Sequence, residues 1–118
     1  MIVEVRSYRI KPGRRAEFIQ FFEARAIPAL HSYGMTVLGP LLDLENPNKF
    51  VWLRSFPSLD ERERMRNAFY EGPVWKDELE AIAMPMVEGF DVILLRYFIR
   101  LCLCCPETRA DPITLRVL

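Results

Sequence analysis

Hydrophobic and polar positions alternate most clearly from Lys49 to Phe56, where Phe50, Trp52, Arg54 and Phe56 interleave with Val51, Leu53 and Ser55. Successive side chains of a strand point to opposite faces. The segment therefore predicts a strand with one bulky aromatic and cationic face and one small aliphatic face. Neither face is plainly polar, so both are expected to be covered. Pro57 ends the strand, because it has no N–H to give the ladder. Ser58 precedes Glu61 by the capping-box spacing. Asp60 and Glu61 fall in the first turn, where the helix dipole favours acids. A helix is predicted from Ser58 to about Tyr70, with Leu59, Met65 and Phe69 on its buried side.

The remaining chain follows the same logic. Ile2 to Ile10 alternates, with Val3, Val5 and Ser7 on one face and Glu4, Arg6 and Tyr8 on the other. Lys11, Pro12 and Gly13 make a turn. Phe18, Phe21, Phe22, Ala26, Ala29, Leu30 and Tyr33 recur at helical steps, and Pro28 within them predicts a kink or a restart. Gly34 suits the helix end. Met35 to Leu44 reads as a strand, and Gly39 and Pro40 place it at a sheet edge or give it a bulge. Glu45 to Asn48 is the turn into the Phe50 strand. After Gly72 and Pro73, a second helical stripe carries Trp75, Leu79, Ile82, Ala83 and Met86. Gly89 breaks it, and Phe90 to Phe98 reads as a last strand.

The order β-α-β-β-α-β folds, with right-handed crossovers, as an α+β, ferredoxin-like sandwich: a four-stranded antiparallel sheet with two helices on one face. The first and third strands are central and the second lies at an edge. Val3, Val5, Val51 and Leu53 are expected to face the helices, opposite Phe18, Phe22 and Leu79. Arg6, Tyr8, Phe50, Trp52, Arg54 and Phe56 would then lie on the uncovered face. An exposed aromatic face of that size is unusual on a monomer, so a homodimer, sheet against sheet, is expected.

Length and charge narrow the function. The 118 residues make one domain. Sixteen basic and sixteen acidic residues cancel, which argues against nucleic acid, whose binding leans on phosphate neutralisation. The longest apolar run, Val92 to Cys105, is cut by Arg96 and Arg100 and is too short to cross a bilayer. No membrane association is expected, and the cytoplasm is the default compartment. Cys102, Cys104 and Cys105 fit no zinc spacing, and their odd number argues against a disulfide framework. No metal and no cofactor is expected.

The pieces RSYRIKPGRRAEFIQFFE and FVWLRSFPSLDERERMRNAFYEGPVWK, in this order and spacing, resemble the NIPSNAP family of the dimeric α+β barrel superfamily. The resemblance is carried by Tyr8 before Lys11, Pro12 and Gly13, by Trp52 before Phe56, Ser58 and Arg62, and by Trp75. It covers about Ile2 to Leu95. Residues 1–98 are read as the domain and 99–118 as a tail outside the resemblance, dispensable for the fold. The resemblance implies a homodimeric barrel. It implies no particular reaction, although related barrel families include cofactor-independent monooxygenases, isomerases and haem-binding enzymes.

Arg6, Tyr8, Trp52 and Arg54 are the candidate ligand-binding residues. Guanidiniums among aromatics hold a flat anion by paired hydrogen bonds and stacking. Equally, each arginine can be paired structurally, with Glu4, Asp91 or an acid across a dimer, because buried charges are rarely left unpaired. His31, the one histidine, has the ordinary pKa for a general base, but in the last turn of the first helix it also suits the dipole. The run from Asp60 to Arg66 reads as a solvated helix face with close ion pairs, or else as a binding segment. Trp75 is core or a stacking platform. No nucleophile elbow, phosphate loop or carboxylate pair appears. Two functions remain: a barrel that binds a small, partly apolar anion, with oxygenase or isomerase chemistry as its enzymatic form, and a noncatalytic homodimeric interaction module.

Overall fold

The alternating segments form strands and the periodic ones helices, in the expected order. A computed structural model describes residues 1–97. The end of the expected last strand at Phe98, the tail and its three cysteines lie outside the described residues. β1 (Ile2–Ile10) leads to α1 (Arg15–Phe21), a π-helical stretch (Phe22–Ala26) and α2 (Ile27–Ser32). β2 (Thr36–Leu42), β3 (Lys49–Phe56) and α3 (Leu59–Glu71) follow. A second π-helical stretch (Val74–Leu79), α4 (Glu80–Ala83) and a 3₁₀ turn (Met84–Met86) lead into β4 (Val87–Arg96). The sheet order is β2-β3-β1-β4, with every neighbouring pair antiparallel.

Local signals account for the boundaries. The Ser58 hydroxyl accepts from the Glu61 N–H at 3.1 Å, capping α3. Leu59, expected inward, is exposed, whereas Met65 and Phe69 are buried. Pro28 stands at the second residue of α2 and marks a restart after the π-helical stretch. β2 is an edge strand, and its register slips between Leu38 and Leu41 around Gly39. Gly39 has φ +134°, and a Cβ there would stand 2.9 Å from the Trp52 Cβ, so the close approach requires glycine. β4 starts at Val87, before Gly89, rather than after it. Gly89 is inside the strand opposite Arg9, whose guanidinium occupies the space a side chain would need.

The helices pack on the opposite sheet face from the one expected. Phe50 meets Phe18 and Phe22 with ring centres 4.9 and 5.0 Å apart, and Trp52 meets Phe22 at 5.1 Å. Glu4, Arg6, Phe50, Trp52, Arg54 and Phe56 are all buried under the helix layer. Phe18 and Phe22 of the helix layer interlock with Tyr8, Phe50 and Trp52 on the bulky strand face, and Phe69 packs among Tyr33, Tyr70 and Trp75. The arginines tolerate burial there because Glu4 lies on the same face. The uncovered face is aliphatic. Val5 lies opposite Leu53 on one side and Ile93 on the other, Leu38 opposite Leu53, and Leu41 opposite Val51. Leu41, Ile93 and Leu95 are exposed on this face. No helix among the described residues is long and apolar enough to cross a membrane.

Candidate functional site

The buried face of the two central strands carries a charge cluster. Alternation in β1 puts Glu4, Arg6 and Tyr8 on one side, and the β1–β3 register sets Glu4 opposite Arg54, Arg6 opposite Trp52 and Tyr8 opposite Phe50. Glu4 and Arg54 are both 0% exposed. Arg54 grips the carboxylate with two donors, Nε to Oε2 at 2.9 Å and Nη2 to Oε1 at 3.1 Å. Arg6 adds Nη1 to Oε1 at 3.0 Å and donates from Nε to the Tyr8 hydroxyl at 3.1 Å.

α3 brings two more cations. Arg62 and Arg66 are one turn apart and lean toward the sheet, with Nε at 3.7 and 4.0 Å from the Glu4 carboxylate. Both distances exceed a hydrogen bond. Arg64 and Glu61 pair instead on the exposed side of the same helix. The Asp60–Arg66 run thus has a solvated face carrying a close ion pair, as expected, and an inward side from which Arg62 and Arg66 approach Glu4. Burial raises the Glu4 pKa, but the Arg54 hydrogen bond and the charges of Arg54, Arg6 and Arg62 outweigh it, so the carboxyl is held below its ordinary 4.5. The Arg66 pKa is lowered too, which for a guanidinium disfavours the charged form. Burial and the neighbouring Arg62 and Arg54 lower its pKa against the opposing pull of Glu4.

Between the sheet and the helices lies a cavity of about 440 Å³, within the range of small-molecule sites. Arg6, Arg62 and Arg66 line its cationic end, and Phe18, Phe22, Phe69 and Trp75 are among its apolar walls. Glu80, Met84, Phe90 and Val92 also line it and are exposed, marking its open side along β4. The Arg6 guanidinium sits over the rings of Trp52 and Phe90 at 5.5 and 5.4 Å, a cation–π arrangement. Burial raises the Tyr8 pKa, with the Arg6 charge opposing, so the hydroxyl stays protonated at neutral pH.

Of the residues singled out in the sequence, Arg6, Tyr8 and Trp52 meet in one cavity wall. The cavity lies inside one chain, not between two sheets as expected. Arg54 is absent from the lining. It sits behind the wall, gripping Glu4 and stacked on Trp52, Phe56 and Tyr70. His31 is exposed in the last turn of α2 and also lies apart from the cavity. Trp75 packs against Tyr70 at 5.3 Å and lines the cavity as well, joining core and wall. Among the described residues, no group of three or more His, Cys, Asp or Glu side chains is placed to hold a metal ion.

Comparison with known proteins places the chain. The NIPSNAP family model matches residues 3–97. An uncharacterised NIPSNAP domain protein from Burkholderia xenovorans superposes with TM-score 0.74 at 22% identity, over 83% of this chain and 95% of that one. Protein Atu4242 from Agrobacterium tumefaciens superposes with TM-score 0.73 at 26% identity, over 81% and 92%. A crystal structure of an antibiotic biosynthesis monooxygenase shares the fold, with TM-score 0.62 at 13% identity, over 83% and 99%. No curated protein matches the chain at a significant level.

Proposed function

This chain belongs to the NIPSNAP family, and we propose from that starting point that it binds a small, partly apolar anion in the cavity between its helices and sheet. One observation carries the reading. Three cavity-lining guanidiniums, those of Arg6, Arg62 and Arg66, share a single carboxylate that Arg54 already grips with two donors. Cations in a low-dielectric site attract an anion more strongly than they would in water. The aromatic walls hold the apolar part of the ligand. Binding on these terms takes nothing from His31, and the likeness to a monooxygenase reaches the fold alone, so the proposal is binding and names no reaction.

Calorimetric titration of the intact protein with 2-naphthoate and with the neutral 2-naphthamide tests it. The carboxylate is expected to bind about tenfold or more tightly than the amide, the worth of one charge-assisted hydrogen bond. Equal affinity for the two, or no binding of either, overturns the reading.

The interaction-module reading rests on a different surface. We propose that the open aliphatic face, centred on Val5, Leu53 and Ile93, packs against a second copy of this chain, burying on the order of 800 Å² per partner. Exposed apolar strand surface of this kind is costly to leave in water. Sedimentation equilibrium is expected to give a dimer at micromolar concentration, and Leu53→Lys a folded monomer. A native monomer would contradict the dimer and leave the cavity reading intact.

A further inference from the structure

The charge count at the cationic end goes further than a preference for anions. Glu4 faces four guanidiniums, Arg6, Arg54, Arg62 and Arg66, which leaves an excess of three positive charges. Arg54 makes two hydrogen bonds to the carboxylate and is 0% exposed, so the Glu4 charge is spent inside the wall. Among the described residues, Glu80 is the one acid in the cavity lining, and it is exposed.

The hydrogen-bond inventory points the same way. Three buried donors on cavity-lining residues have no acceptor among the described residues: Arg62 Nε, Arg66 Nε and the Trp52 indole N–H. Trp52 is only 3% exposed. A buried donor without an acceptor is destabilising, more so when it is charged. A single carboxylate has one charge for three surplus cations.

We infer that the ligand of this cavity carries a doubly charged oxyanion head, a phosphate monoester or a paired dicarboxylate, on a flat apolar body. The two sources share the recognised chemistry: two negative charges and at least three acceptor oxygens close together. Such a head offers acceptors to Arg62, Arg66 and Trp52, while Arg6 stays over the rings of Trp52 and Phe90. Burial first, and then the neighbouring Arg62 and Arg54, lower the Arg66 pKa, and a second negative charge on the head opposes both. This inference rests on the anion-binding reading above and adds the head group to it.

The test is titration of the intact protein at about pH 8, where a phosphate monoester with a second pKa near 6 is dianionic, at one fixed ionic strength. The probes are 2-naphthyl phosphate, naphthalene-2,3-dicarboxylate and 2-naphthoate, which share one apolar body. At least one dianion is expected to bind about tenfold or more tightly than the monoanion. Arg62→Gln together with Arg66→Gln is expected to abolish that preference. If only the phosphate or only the dicarboxylate is preferred, the inference holds and the source is identified. If 2-naphthoate binds as tightly as both dianions, the doubly charged head is wrong while anion binding stands. A preference that survives the double substitution places the head elsewhere and also overturns the inference. If none of the three binds, this inference and the anion reading fall together.

Discussion

Replacing Glu4 by glutamine is expected to destabilise the fold by about 3–5 kcal/mol, the cost of breaking a buried ion pair from one side. Among the described residues, the carboxylate is the sole acceptor for Arg54 apart from a long contact of its Nη1 with the Met35 sulfur at 3.7 Å. Without it, the buried Arg6 and Arg54 lose their counter-charge, with Arg62 and Arg66 close by. Such a loss is a large fraction of the roughly 5–15 kcal/mol that holds a typical domain together. Denaturation by urea reads it directly. The pH profile supplies a second readout. Glu4 has its pKa depressed in the folded state, so its contribution is fully present above the ordinary value of 4.5 and is lost as pH falls through the lower folded value. The native protein is therefore expected to lose stability on acidification below that point, and Glu4→Gln to lose the part of the acid limb that Glu4 supplies. A variant as stable as the native protein at neutral pH would show that the arginines do not depend on this carboxylate.

The second large effect separates two kinds of arginine. Arg54→Met is expected to cost stability on the same scale as Glu4→Gln, about 3–5 kcal/mol, because it removes the bidentate partner that shields Glu4 in the interior. Replacing Arg62 and Arg66 together by methionine is expected to do the opposite. Neither makes a hydrogen bond to Glu4, and their Nε atoms are buried without acceptors. Their removal takes two crowded charges from the cavity edge and should leave the folded state as stable or more so, by up to about 1 kcal/mol. The same change should weaken binding of 2-naphthoate by about 100-fold, roughly two charge-assisted hydrogen bonds. Stability sacrificed for a site is a general property of functional positions. If the double variant unfolds as Arg54→Met does, Arg62 and Arg66 are structural and the cavity loses its claim to a ligand.

Much of this was legible in the chain. The strand order, the edge position of β2 and the Ser58 cap follow from Gly39, Pro40, Ser58 and the period of the apolar positions. What alternation could not decide was which sheet face the helices take. A period of two separates the faces but does not rank them when both are apolar enough to bury. The deciding feature was in view all the same. Glu4 shares its face with Arg6 and, across the register, with Arg54, so the arginines bring their counter-charge into the core with them. The helices also offer phenylalanines, which match rings better than valines. Arg62 and Arg66 were hidden for a related reason. They alternate with Met65 and Phe69 at three- and four-residue steps, which places them on the inward side of α3, while the neighbouring Glu61, Glu63 and Arg64 make the same stretch read as a solvated face. His31 drew notice only as the single histidine, and nothing in its spacing tied it to the other candidates.

The proposed function requires an anion seated in the cavity within one chain. A crystal structure of the protein with 6-bromo-2-naphthoate tests this most directly, because the bromine is located by its anomalous signal. The expected result is a bromine peak between Phe18, Phe22 and Trp75, with the carboxylate within hydrogen-bonding distance of Arg6, Arg62 or Arg66. A bromine on the open aliphatic face near Leu53 and Ile93, with the cavity arginines making no contact to the carboxylate, would contradict it.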